Sequence, residues 1–190
     1  MFPVGGIGVM LVLIAAAGVV SALVARLLRA VGVGASLATT LGLLVWSIAT
    51  VAVVTLIPVS GAPGVVPAEG RLSSCSWDIG GPAPDGFWIF SGTQRLLNVA
   101  LFVPSGALMT YACAHARGRT WSMVPWGLVA LGLFSSGLEL TQLALARLDR
   151  ACDVTDVIDN VTGAGLGVVL GLAAALVLRP WRRGARPHAR

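Results

Sequence analysis

The sequence predicts an all-α integral membrane protein, a bundle of five transmembrane helices with the N-terminus outside and the C-terminus in the cytoplasm. Of its 190 residues, 56% are hydrophobic and 11% are charged, and the mean hydropathy is +0.88. A soluble domain has about a quarter of its residues charged. The sequence also has five long apolar runs, which indicate five spans, and an uneven distribution of arginine, which indicates their orientation. We therefore expect a multi-pass protein of the cell membrane.

Each apolar run is long enough to cross the hydrocarbon core, which takes about 20 residues. No basic residue precedes the first run, whereas Arg26 and Arg29 lie at its far end, so we interpret it as an anchor and not as a signal peptide. The chain then divides into two N-terminal helices with a long outer loop (1–92), a three-helix core (93–179) and a basic cytoplasmic tail (180–190). The predicted spans, in order, are 4–28, 35–58, 96–114, 121–146 and 157–178.

The arginines predict the orientation of the bundle. The chain has no lysine, and with the N-terminus outside nine arginines lie in cytoplasmic segments and four in outer segments. Seven of the eight acidic residues also lie outside, and the eighth, Glu139, lies within the fourth span. Basic residues are enriched in cytoplasmic loops of membrane proteins. The pI near 10.5 therefore reflects membrane topology, and we expect no nucleic-acid partner.

Spans three, four and five each carry polar side chains at helical spacing, and each stripe becomes polar toward the outer side. Charged and amide groups within a bilayer cost free energy, so each needs a partner or a role. Asp159 lies just beside the stripe of span five, and we expect Arg95 or Arg150 to neutralise the acidic residues. Deeper in span five, Gly163 and Gly167 predict close helix packing. We predict that seven residues line one outward-facing pocket: Asn98, Glu139, Gln142, Arg150, Asp153, Asp156 and Asn160.

Three motifs in these spans point to a known family. Residues 98–106 read NVALFVPSG and match the pattern N-x-x-x-F-x-P-x-G. Glu139 and Gln142 form an E-x-x-Q pattern, and residues 150–167 match R-x-x-D-x-x-D-x-x-x-N-x-x-G-x-x-x-G. In this order and on consecutive spans, the motifs resemble the VanZ-like family, whose founding member is associated with teicoplanin resistance. The resemblance implies a role at the cell surface, in resistance to glycopeptides.

Several functions remain open at this point. The favoured hypothesis is a resistance accessory protein that binds a polar ligand or lipid headgroup, with membrane lipid and a glycopeptide or cell-wall precursor as partners. The first alternative is a membrane-embedded enzyme acting on a lipid-linked or cell-wall substrate through Glu139, Asp153 and Asp156. These carboxylates would also be the metal ligands if a divalent cation binds, and hard oxygen ligands favour Mg²⁺ or Ca²⁺. Another alternative is a proton- or ion-coupled carrier in which Glu139 titrates. The purely structural alternatives are interhelical hydrogen bonding by Glu139 and Gln142, and a solvated loop and helix N-terminus at Asp153 and Asp156, where acidic residues complement the helix dipole. No cofactor is predicted.

The positions of the cysteines raise the question of a disulfide. Cys75 and Cys152 both lie on predicted outer segments, where the environment is usually oxidising, whereas Cys113 lies toward the inner end of span three. A bond between Cys75 and Cys152 would hold the Pro- and Gly-rich loop over the entrance at Arg150 and Asp153. Two unpaired thiols in the same compartment are the alternative.

Overall fold

The computed structural model describes residues 5–57, 74–77, 79, 93–115, 122–145 and 152–181. In these ranges the chain forms five helices, each long and apolar enough to cross a membrane. The predicted all-α, five-helix fold is confirmed, and the orientation of the termini stays a prediction. The helices are α1 (Ile7–Ala30), α2 (Ala35–Leu56), α3 (Thr93–Cys113), α4 (Met123–Leu145) and α5 (Val154–Leu178).

The two ends of the bundle differ in charge. We call the end at which α2 and α4 finish and α3 and α5 begin the acidic end, because Asp153, Asp156 and Asp159 lie there. We call the opposite end, where α1 finishes and α2 begins, the basic end, because Arg26 and Arg29 lie in the last turns of α1.

Local capping interactions set two of the helix boundaries. Helix α1 ends at Ala30, and Gly32 follows it with a φ of 91°. The Val33 amide then donates to the Leu28 carbonyl at 2.9 Å. This arrangement, in which a left-handed glycine closes the helix, lets the chain turn directly into α2. Helix α5 begins at Val154, three residues earlier than predicted, because the Asp153 side chain accepts a hydrogen bond from the Thr155 amide at 2.8 Å and caps the helix.

Helices α3 and α5 form the most extensive interface of the bundle. Gly106 of α3 and Gly163, Gly167 and Gly171 of α5 lie directly against the backbone of the opposite helix. A Cβ atom added to any of the four would lie within 3.0 Å of a carbonyl oxygen of the partner helix. The predicted glycine face of α5 thus packs on α3. We call this contact the glycine seam.

The apolar core lies between α2, α3, α4 and α5. Phe102 of α3, which is 1% exposed, lies at its centre and contacts Phe134 with ring centroids 6.2 Å apart. Helix α1 packs mainly against α2, and only 6% of the residues in its most apolar stretch are buried. Most of α1 therefore faces the surroundings of the bundle, which are lipid in a membrane. The other buried members of the core are Val51, Met109, Val124, Leu131, Leu138 and Ala164.

We expect the acidic end to face the exterior and the basic end the cytoplasm, because of the arginine distribution. Reporter fusions within residues 59–92 and after Arg190 should therefore report opposite compartments. A fusion in the turn 31–34 is the control, and it should report the same compartment as the fusion after Arg190. The same compartment for the first two fusions would contradict the topology.

Candidate functional site at the acidic end

A buried ion pair joins α3 to α5 at the acidic end. The Arg95 guanidinium donates from Nε to Oδ2 of Asp159 and from a terminal nitrogen to Oδ1, both at 2.8 Å. Arg95 is 8% exposed and Asp159 is 1% exposed. Two parallel N–H···O bonds fix the geometry of such a pair as well as adding energy. Arg95 also interacts electrostatically with Asp153 and Asp156. Its positive charge therefore offsets part of the negative charge of all three aspartates.

Glu139 connects α4 to the start of α5. Its side chain is 3% exposed, and its Oε2 accepts a hydrogen bond from the Asp153 backbone amide at 3.2 Å. The residue lies six positions before the end of α4, or about 9 Å below that end. The amides of the first helical turn carry partial positive charge, which a buried carboxylate complements. Glu139 therefore stabilises the N-terminus of α5 from a neighbouring helix.

Two amide side chains extend this network to other helices. Gln142, one turn after Glu139, donates to the carbonyl of Thr55 near the end of α2 at 3.0 Å. Asn160 donates to the hydroxyl of Ser135 on α4 at 2.9 Å. These hydrogen bonds connect α4 to both α2 and α5.

Asn98 differs from the other amides. It lies one turn after Arg95 on α3, and residues at this spacing share one face of a helix. Its side-chain nitrogen is buried and has no hydrogen-bond partner among the described residues. A buried donor without a partner costs about 1–3 kcal/mol. The hydrogen bonds among the described residues thus leave this donor unused.

A disulfide joins Cys75 to Cys152, with Cα atoms 4.5 Å apart. The next residue, Ser76, donates to the Cys152 carbonyl at 2.7 Å, and its own carbonyl accepts from the Val154 amide at 3.1 Å. The segment between α2 and α3 is thus tied covalently and by backbone pairing to the start of α5. Closing a loop this long can stabilise a fold by up to about 4 kcal/mol. The cysteine pair left open by the sequence is bonded, and it lies beside Asp153.

The predicted pocket residues have different environments in the structure. Glu139, Gln142 and Asn160 are buried, whereas Asn98, Asp153 and Asp156 are half-buried. Arg150 lies outside the described residues. Within the described part of the chain, no three His, Cys, Asp or Glu side chains form a group that could hold a metal ion. Of the possible metal ligands, Asp153 caps its own helix, and Glu139 binds the backbone amide of Asp153.

Sequence reasoning missed the central role of Asp159. It lies beside the predicted stripe of α5, yet it holds Arg95, one of the two arginines expected to neutralise the acidic residues. The sequence does contain a feature from which the pair could have been predicted. Arg95 and Asp159 carry opposite charges, and each lies near the start of an apolar helix, Asp159 six positions after the cap residue Asp153. Charges at such depths are paired in membrane proteins.

Comparison with known proteins agrees with the motifs at this site. A family model described as VanZ/LLP1 matches residues 45–177. This region extends from the middle of α2 to the last turn of α5, and it includes every described residue of the acidic-end site, Cys75 among them. No curated protein and no solved structure matches the chain. Because the match covers more than two thirds of the sequence, the chain belongs to the VanZ/LLP1 family.

Proposed function

We propose that this membrane protein is an accessory of glycopeptide resistance, which binds the polar part of a glycopeptide such as teicoplanin at its acidic end. The observation that carries the proposal is the unpaired donor of Asn98 beside the Arg95–Asp159 pair. Every other amide predicted to line the pocket has a partner within the bundle. Asn98 is therefore the amide whose hydrogen bond is left for something else.

The chemistry of the acidic end suits a peptide ligand. A peptide offers carbonyl oxygens, which accept from a donor such as Asn98, and N–H groups, which donate to carboxylates. The carboxylates of Asp153 and Asp156 are half-buried and belong to the cap and first turn of α5. Hydrogen bonds to charged groups contribute more than neutral ones, about 1.5–3 kcal/mol. This end therefore combines a donor with two charged acceptors.

The position in the membrane supports the same ligand class. In the predicted orientation the acidic end faces the exterior, beside the outer leaflet, where glycopeptides and cell-wall precursors are found. Gln142 and Glu139 hold α2 and the start of α5 to α4, and the disulfide holds the preceding segment in place. A site held in this way loses little conformational freedom on binding, which favours affinity.

Asn98→Leu is the variant that separates binding from folding. Leucine has the same branching and the same number of heavy side-chain atoms as asparagine, and it removes a buried donor that has no partner among the described residues, so the folded protein should keep its stability. If Asn98 binds the ligand, the variant loses one hydrogen bond, about 1 kcal/mol or about fivefold in affinity. Growth of a susceptible host expressing each variant against teicoplanin and vancomycin, at equal surface levels, measures the effect in cells. Teicoplanin binding to the purified protein measures it directly.

Leu97→Ile is the matched control, because Leu97 is the neighbouring residue on α3 and is 55% exposed on the lipid-facing side. It should leave resistance and binding unchanged. Glu139→Gln is the second variant, since glutamine can still accept from the Asp153 amide while the negative charge is lost. Wild-type protein that neither binds teicoplanin nor protects the host would refute the proposal. Equal binding by wild type and Asn98→Leu would remove Asn98 from the site.

A further inference from the structure

A groove lies between α1 and α2, far from the acidic end. Its volume is about 420 Å³, and it extends along α1 from Gly18 to Arg29. The eleven residue steps from Gly18 to Arg29 span about 16 Å along the helix. Half of the hydrocarbon thickness of a bilayer is about 15 Å. The groove therefore has the length of one lipid leaflet. Nearly all of it precedes residue 45, where the family match begins.

One end of the groove is basic and the rest is mostly apolar. Arg26 and Arg29 line it at the basic end, and Leu43 and Trp46 line it on α2. Both arginines are exposed, and neither forms an ion pair among the described residues. No acidic residue occurs before Glu69 in the sequence, so no carboxylate on α1, α2 or the turn between them neutralises the two arginines. This end of the groove suits an anion.

Deeper in the groove than the arginines lies a buried hydroxyl that has no hydrogen-bond partner among the described residues. Ser21 lines the groove and is 3% exposed, and its hydroxyl has no hydrogen-bond partner among the described residues. It lies five residues, or about 7.5 Å, deeper than Arg26. Beyond it, the Trp46 indole donates to the Ile14 carbonyl at 3.0 Å, which fixes the ring across the deep end of the groove.

We propose that this groove binds one anionic phospholipid of the leaflet at the basic end, which is the cytoplasmic leaflet in the predicted topology. The phosphate contacts Arg26 and Arg29, an ester carbonyl accepts from the Ser21 hydroxyl, and an acyl chain lies along the apolar part toward Trp46. The phosphate, the ester and the acyl chain of the lipid thus each contact a chemically matching part of the groove, and the three parts follow one another from the membrane surface inward.

Other occupants fit less well. A free phosphate would satisfy the arginines but would leave the apolar length of the groove and Ser21 without a partner. A second copy of the chain, related by a two-fold axis along the membrane normal, would bring the arginines of both copies to the same depth. Like charges in such self-complementary contacts repel each other.

Native mass spectrometry of the purified full chain tests the proposal, with three ligands compared: phosphatidylglycerol, phosphatidylcholine and free glycerol phosphate. Phosphatidylglycerol should be retained most strongly. Arg26→Gln/Arg29→Gln should weaken its retention roughly ten- to thirty-fold, since a basic residue near an anionic lipid contributes about 1 kcal/mol. Arg182→Gln/Arg183→Gln is the control, because it removes the same charge from the tail and should retain the lipid.

A second pair of variants tests the apolar part of the groove with all charges kept. Ala22 lines the groove, and Ala22→Phe should fill it and weaken retention of phosphatidylglycerol. Val20, on α1, is 56% exposed and is not among the groove residues, and Val20→Phe should have no effect. Three results would each overturn the proposal. They are retention of phosphatidylcholine equal to that of phosphatidylglycerol, comparable binding of glycerol phosphate, and a dimer of the chain that Arg26→Gln/Arg29→Gln dissociates. Unchanged retention by the groove variants would overturn it as well.

Discussion

Gly163→Ala is expected to lower the thermal stability of the purified protein strongly, whereas Gly165→Ala, two residues further along α5, is not. A methyl group at Gly163 would clash with the Val99 carbonyl of α3, a backbone atom that cannot move aside as a side chain can. Around Gly165 nothing lies within 4 Å of an added Cβ. Overpacking of a core costs about 1–3 kcal/mol of stability. Separating α3 from α5 at the glycine seam would also weaken the neighbouring contacts between the two helices.

Unfolding in detergent, followed by tryptophan fluorescence, measures this difference. Alanine is a better helix former than glycine by about 1 kcal/mol, so Gly165→Ala should be neutral or slightly stabilising. Gly167→Ala, one turn further into the seam, should repeat the effect of Gly163→Ala, since its added Cβ meets the Val103 carbonyl. Equal midpoints for Gly163→Ala and Gly165→Ala would show that α3 and α5 are not in backbone contact.

The second large effect is expected at the buried ion pair. Asp159→Leu removes the carboxylate and leaves the Arg95 guanidinium, which is 8% exposed, without its bidentate partner. Removing one member of a buried pair costs about 3–5 kcal/mol. We expect this variant to lose most of its folded population in detergent, as measured by the unfolding midpoint and by size-exclusion chromatography.

The double variant Arg95→Met/Asp159→Leu distinguishes two causes of the instability of Asp159→Leu, the unpaired charge left on Arg95 and the altered packing at position 159. Replacing both members of a buried pair by apolar residues of similar volume is often neutral, so the double variant should be more stable than Asp159→Leu alone. Asp156→Asn is the control for a carboxylate of the same helix, because Asp156 is only half-buried. A double variant less stable than Asp159→Leu would show that the charges themselves hold the bundle together.

Hydropathy was sufficient to predict the five spans, because each helix in a membrane must be apolar along nearly its whole length. It was less informative where a helix begins with polar residues. Helix α5 starts at Val154 because the Asp153 side chain caps it, whereas a hydropathy limit places the start at residue 157. Likewise α3 begins at Thr93, ahead of the predicted start at residue 96. Helix ends of this kind are set by local hydrogen bonds and not by the average polarity of a segment.

The polar stripes predicted which face of each helix lies inside the bundle. They did not predict which groups the polar side chains bind. The sequence indicates that Gln142 faces the interior, yet its partner is a backbone carbonyl, that of Thr55, which no pattern of side chains reveals. Glu139 also binds a backbone group, the amide of Asp153. The Arg95–Asp159 pair depends on how far α5 is rotated against α3. That rotation follows from the glycine seam, which is a property of two helices together.

The pairing of α3 with α5 has a consequence for how the protein is made. Helix α3 leaves the ribosome before α5, and Asp159 is synthesised some sixty residues after Arg95, roughly 3–12 s later at ordinary rates of translation. During that interval Arg95 has no Asp159 to neutralise it, on a helix that is less apolar than α1. We therefore expect α3 to become stable in the bilayer only once α5 has packed against it, so that the two spans complete their insertion as a pair.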